Sequence, residues 1–259
     1  MTTKIGIAGV GAIGSTVARA LIEGIDGFEL ECASEINQPD EFDIPYVDFA
    51  SLAERSDLII ECLPSNAVPT LTSEAFSRDK DIIIITSAAL LIHPSILEQH
   101  KSSASRIIVP SGALAGLDGV SALMHSGIKS ATIISTKLPT GFLGAPFVSD
   151  HNIDLECVTE KTRLFKGNAL EAAQGFPANV NVAATLSLAG IGPERTEVEI
   201  WADPNAMGNK HEIIVEGKLS TIRASVDNLP DPANPKTSIL AAQSIIAVLK
   251  GMSSPLVVL

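Results

Sequence analysis

The sequence predicts an α/β chain in two parts: a doubly wound parallel sheet, then an α+β region built on a mostly antiparallel sheet. Two observations carry this expectation. From Lys4 to Pro110, short apolar runs alternate with stretches of helical periodicity, the pattern of parallel strands joined by crossover helices. At Ser111 the pattern changes to strands in succession, which suits antiparallel neighbours with one face covered by helices.

Lys4 to Ala8 reads as a short buried strand, followed by Gly9-Val10-Gly11-Ala12-Ile13-Gly14 with the spacing G-x-G-x-x-G. An amphipathic run to Glu23, a strand over Phe28 to Ala33 and an acid at Glu35 complete the unit. In this order Gly9 permits the tight turn, Gly11 lets backbone approach a pyrophosphate, and Gly14 lets the helix pack closely on its strand. The helix opening at Ala12 and Ile13 aims unpaired N–H groups and its positive dipole end at the phosphates. Glu35 stands where it would accept hydrogen bonds from the adenosine ribose. A carboxylate there repels a 2′-phosphate, and Ser34 to Gln38 contains no Arg, so NAD is the expected cofactor, with NADP possible. A glycine-rich turn between two buried elements is the plainer reading of the triplet alone. The full order of strand, glycines, helix, strand and acid marks residues 1–110 as a Rossmann-type dinucleotide-binding domain.

The alternation continues through a short helix over Asp48 to Arg55 and a buried strand from Asp57 to Cys62. A helix over 67–77, a strand from Asp81 to Thr86, a helix from Pro94 to His100 and a strand from Arg106 to Val109 follow. Pro64-Ser65-Asn66 and Ser87-Ala88-Ala89 lie at strand carboxyl ends, where open parallel sheets bind ligands, and the two alanines would leave room for a nicotinamide. The glycine-rich connection Ser111 to Gly119 leads to a helix ending near His125. Strands are expected over Ala131–Lys137, Thr159–Phe165, Thr196–Ala202, His211–Glu216 and Thr221–Asp227, with a buried helix over Asn179–Ala189. Residues 111–236 are therefore expected to form a substrate, catalytic and dimerisation domain. A last amphipathic helix, 237–250, is expected to return to the first domain.

Bulk composition narrows the function. With 259 residues and 46% apolar content, the chain can bury one or two real cores. A net charge of −12 argues against nucleic acid or an anionic membrane as partner. An acidic small substrate must then be caught by locally placed cations. Cys32, Cys62 and Cys157 show no C-x-x-C spacing and suggest reduced thiols in a cytoplasmic protein, with no metal site expected. No apolar run approaches the ~18 residues of a membrane span. Lys4 before an apolar stretch imitates a signal peptide, but the glycines and then Arg19 and Glu23 argue against one.

Of five histidines, His93 and His100 read as surface positions, His125 as a helix end and His151 as part of a polar loop. His211 opens a strand on which it shares a face with Ile213 and Val215. An ordinary imidazole titrates near ~6.5, which suits a general acid/base. On spacing alone a satisfied structural histidine is the better reading.

Several segments resemble the L-aspartate dehydrogenase family. They are the glycine fingerprint, Pro110-Ser111-Gly112-Ala113 with Gly116-Leu117-Asp118, and Phe165-x-Gly167-x-Ala169-x-Glu171-Ala172. Others are Phe176-Pro177-x-Asn179-Val180-Asn181-Val182-Ala183-Ala184, Ala202-Asp203-Pro204 with Asn209-x-His211, and Asn234-Pro235-Lys236-Thr237. The resemblance implies a catalytic role for His211 and nicotinamide-side contacts at Ala113, Asn179 and Asn181. It implies NAD-linked oxidative deamination of a dicarboxylic amino acid, L-aspartate, and a homodimer paired through the antiparallel sheet. Lys137 and Lys236 are then candidates for the substrate carboxylates, with the hydroxyls of Ser111 and Thr237 in support, and Asp203 for orienting His211. A solvated strand end for Lys137 and Asp203, and a cap for Lys236, are the plainer readings. The chain departs from the family at Lys137-Leu138-Pro139-Thr140, where a basic residue and two prolines are usual, and at Gly217-Lys218-Leu219-Ser220, which lacks a glycine near its end. A related imine or semialdehyde reductase, or a nucleotide sensor of the same fold without activity, are the alternatives. A sensor has no need of a titrating group at His211.

Overall fold

In a computed structural model, whose described residues are 2–229 and 238–258, the first five strands all run parallel. The elements are β1 (Thr3–Ala8), α1 (Ala12–Gly24), β2 (Phe28–Ser34), α2 (Phe49–Arg55), β3 (Leu58–Glu61), α3 (Val68–Phe76), β4 (Asp81–Ile84), α4 (Ala88–Ile92), α5 (Ser95–His100) and β5 (Ile107–Ile108). The sheet order is β2-β1-β3-β4-β5, so the chain reverses direction across the sheet between β1 and β3. That switch point opens at the strands' carboxyl ends, where the glycine loop sits. The β-branched strands are buried on both faces, and β3 is buried at every residue. One expectation changes here. Ala88 and Ala89 are fully buried at the start of the short helix α4. Neither small side chain faces an open surface, and Ala89 packs in the apolar core.

The second run of elements is α6 (Leu117–Ser126), β6 (Ile128–Lys137), a 3₁₀ turn (Pro139–Phe142), α7 (Pro146–Asp150), β7 (Thr162–Asn168), α8 (Ala169–Gly175), α9 (Asn181–Ala189), β8 (Thr196–Ala202), β9 (Asn209–Gly217) and β10 (Thr221–Asn228). They build a sheet of order β10-β9-β6-β8-β7. Three of its four pairings are antiparallel, but β6 and β8 are parallel. The long connection through α7, β7, α8 and α9 permits this, since a parallel pair needs a crossover of a dozen residues or more. The strict alternation of β8, buried at every second residue, shows one face turned to a core. On that face Ala131, Ile133 and Ser135 of β6 stand opposite Val215, Ile213 and His211 of β9.

The final helix, α10 (Ile239–Ser253), packs against α1 and adds Ile245, Ile246 and Leu249 to the core shared with Ile5, Ile7, Val17 and Leu21. Burying side chains of this kind is worth roughly 1.5–3 kcal/mol each, enough to hold the C-terminal helix there. Two compact units result, one of Met1–Gly112 with Ile239–Leu259 and one of Ala113–Ser238. No helix among the described residues is long and apolar enough to cross a membrane.

Candidate functional site

The glycine loop is built as its spacing requires. Gly9 has φ +89°, a left-handed conformation that a side chain resists, and a Cβ there would strike the Cys62 carbonyl. A Cβ on Gly14 would land on the Gly9 carbonyl oxygen, so helix and loop close only around a bare α-carbon. Gly11 differs: a Cβ there would meet nothing within 4 Å. Its lack of a side chain serves no packing within the protein and keeps the surface of the loop open. Gly11 caps α1 without a side chain, and no acid occupies the first turn, so no carboxylate of that turn competes for the N–H groups at the helix start, Ala12 and Ile13 included. The Glu35 carboxylate reaches this loop, accepting from the Val10 N–H at 2.7 Å with one oxygen and from the Ile36 N–H at 2.7 Å with the other. It thereby clamps the end of β2 to the glycine turn.

A second carboxylate, Glu61, lies fully buried at the end of β3. It accepts from the N–H groups of Leu63 at 2.6 Å and Thr86 at 3.0 Å, while the Thr86 hydroxyl donates to the Leu63 carbonyl at 2.8 Å. Burial pushes its carboxyl up to about 7 against these donors. It ties together the two strand ends beside the switch point. A lone acid in an apolar strand was the signal for it in the sequence.

The second unit gathers the polar groups of the sheet's inner face at one end. His211 is 5% exposed, and its Nδ1 lies 2.9 Å from the Oγ of Ser135, which is 4% exposed. Burial, and then the charge of Lys137, lower its pKa from 6.5 to about 3, so the ring is neutral in the physiological range. The ordinary imidazole value expected from sequence is thus displaced downward. Asp203 does not hold the ring. Its carboxylate accepts from the Asn205 N–H at 2.8 Å and shapes the turn between β8 and β9. Ser135, two residues before Lys137 on one face of β6, is the group the sequence reasoning missed. The alternation marked its face, but nothing local marked its partner.

Lys137 donates to the Asn179 Oδ1 at 3.0 Å, and among the described residues no carboxylate pairs with it. Burial lowers its ammonium to about 8. The loop that supplies Asn179 is anchored by Phe176, fully buried against Phe142, Phe147 and Phe165 at ring distances of 5.3–6.0 Å. The Asn179 N–H also donates back to the Phe176 carbonyl at 2.9 Å. The preceding motif has a structural cause: Asn168 and Glu171 form a capping box on α8, and a Cβ on Gly167 would strike Glu171 and the Phe165 ring. Asn181 opens α9, Ala113 is buried, and Ser111 is half-buried. Lys236 and Thr237 lie outside the described residues.

Comparisons with known proteins agree with this architecture. A family model described as aspartate dehydrogenase, C-terminal, matches residues 118–252. An L-aspartate dehydrogenase of Methanosarcina acetivorans is 40% identical over 264 residues, covering 97% of each chain. L-aspartate dehydrogenase 3 of Bordetella bronchiseptica is 38% identical over 260 residues, covering 97% of this chain and 95% of that one. The crystal structure of aspartate dehydrogenase from Thermotoga maritima superposes with a TM-score of 0.79 over the whole of both chains at 25% identity. An open glycine cradle on a parallel sheet, joined in one chain to a sheet bearing a neutral imidazole, belongs to the Rossmann-type oxidoreductases. Within that class, the chain is a member of the L-aspartate dehydrogenase family.

Proposed function

We propose that the protein catalyses the NAD-dependent oxidative deamination of L-aspartate to iminosuccinate, which water converts to oxaloacetate and ammonia, or the reverse reductive amination. The observation that carries this reading is the end of the inner sheet face, where an ammonium with no carboxylate partner among the described residues shares a face with a neutral, buried imidazole. A dicarboxylic amino acid meets both needs. One carboxylate completes the ion pair at Lys137, with Ser111, Lys236 and Thr237 as further candidate donors. The amine gives up a proton to His211 at Nε2, the ring nitrogen that Ser135 does not hold. Such proton transfer is typically worth ~10²–10⁴-fold in rate. The neutral ring is the form that can accept that proton; burial and then the charge of Lys137 oppose it, and the arriving carboxylate offsets the second of these.

The glycine cradle fits a dinucleotide, since Gly11 leaves its surface clear and Glu35 stands beside the loop. A bound nicotinamide would supply the acceptor for the hydride on substrate C2. Ala113, Asn179 and Asn181 are the candidate contacts on that side. A progress curve at the reduced-nicotinamide absorbance band, with L-aspartate or with oxaloacetate plus ammonia, tests the reaction. No turnover with either would overturn it.

Glu35 carries the choice of NAD. Glu35→Ser is expected to weaken NAD and to narrow its advantage over NADP, read from titrations of both cofactors. Tighter NADP than NAD binding by the unaltered protein would show the assignment wrong. The reading includes a cytoplasmic setting and a homodimer paired through the outer face of the second sheet. There Trp201 lies under Lys161 and Arg163, and Lys166 pairs with Glu197 and Glu199. Sedimentation at micromolar concentration should give twice the chain mass, and a monomer would count against pairing.

A further inference from the structure

One buried polar group of the second unit has no part in the chemistry above, namely the hydroxyl of Ser135. It faces His211 across the β6–β9 pairing, residue opposite residue, and both side chains are more than nine-tenths buried. Its Oγ lies 2.9 Å from Nδ1, and the ring has no other hydrogen-bond partner among the described residues. Resting on the reading of His211 as the acid/base group, we propose that Ser135 is a positioning residue: it grips His211 by Nδ1 with a hydroxyl that both donates and accepts, so that Nε2 can take or give a proton without the ring moving.

The choice of group matters. A carboxylate at this point would fix Nδ1 as a donor and stabilise the charged ring. A hydroxyl has one hydrogen and two lone pairs, and it rotates to suit its neighbour. When Nδ1 carries the ring proton, the hydroxyl accepts from it and Nε2 is free to act as a base. When the hydroxyl donates to a bare Nδ1, Nε2 carries the proton of the neutral ring and can donate a hydrogen bond, and the acid that returns a proton is the charged ring formed once Nε2 has accepted one. After Nε2 has taken a proton, both ring nitrogens donate, and the hydroxyl again accepts. No protonation state of the ring loses the contact, and this serves a reaction that runs in both directions. The strand places the group without loop motion, because Ser135 is flanked by the paired residues Ile134 and Thr136 on both neighbouring strands. The plainer account is that serine and histidine merely satisfy each other in a buried place.

Ser135→Ala and Ser135→Thr separate the two accounts, with His211→Ala as control. Ser135→Ala should lower kcat about 10-fold, the usual weight of one hydrogen bond, while KM for L-aspartate changes less than about twofold. Ser135→Thr should restore most of kcat. Nitrogen-15 spectra of the imidazole supply a readout that needs no variant to be fully active. In the unaltered protein at pH 7 a neutral ring with a hydrogen-bonded Nδ1 is expected, and the Nδ1 signal should move in Ser135→Ala. A folded Ser135→Ala protein with unchanged kcat, or an unmoved Nδ1 signal, would overturn the proposal even where His211→Ala is inactive. Full activity in His211→Ala would instead remove the reading on which it rests.

Discussion

His211→Ala is expected to lower kcat by about 10²-fold or more while NAD affinity stays nearly unchanged, because the imidazole is proposed to move a proton and not to hold the cofactor. A packing histidine would behave otherwise, lowering the melting temperature with turnover per folded molecule near normal. The pH dependence of stability gives an independent check. The folded ring titrates at about 3 against an ordinary 6.5, so the native state resists its protonation. The stability this contributes is complete above 6.5 and is lost progressively as pH falls towards 3. Melting temperatures of the unaltered protein should therefore drop more steeply over that window than those of His211→Ala. Equal slopes would mean that the ring is not held neutral.

Lys137→Met should produce the second large effect, on binding more than on turnover. The variant keeps the length of the buried stem and removes the charge. Loss of a charge-assisted hydrogen bond to a carboxylate costs about 1.5–3 kcal/mol, which predicts a KM for L-aspartate raised roughly 10- to 150-fold. In the unaltered enzyme kcat/KM should decline above about 8, where the ammonium loses its proton, and this bend should vanish in the variant. The same substitution removes a charge that depresses His211, so the imidazole should titrate at a higher pH. An unchanged KM would assign the substrate carboxylates to other donors. Arginine at this position is no gentle alternative, since a larger, planar group would have to share the pocket with Asn179.

The first unit is legible in sequence because its determinants are local. Gly9, Gly11 and Gly14 are set by the contacts of one turn, and Glu35 closes on Val10 from the very next strand. The apolar runs of β3 and β4 announce a sheet covered on both faces, whatever the strands' neighbours are. The second unit is legible element by element, down to the alternation of β8 and the face of His211. Its site is not. Ser135 meets His211 across 76 residues and Lys137 meets Asn179 across 42, and each pairing depends on a strand register or a loop anchor that local propensity does not encode. Asp203, offered as the orienting group with the family resemblance, has its carboxylate taken up in its own turn. The parallel pairing of β6 with β8 likewise follows from where the helices between them pack. What the sequence alone determined was which faces are buried and where the chain turns, since side-chain period and glycine sterics act over a few residues. The tertiary structure decided which buried polar groups meet, and with that the neutrality of His211 and the lowered ammonium of Lys137, because desolvation and long-range pairing exist only once the sheet has assembled.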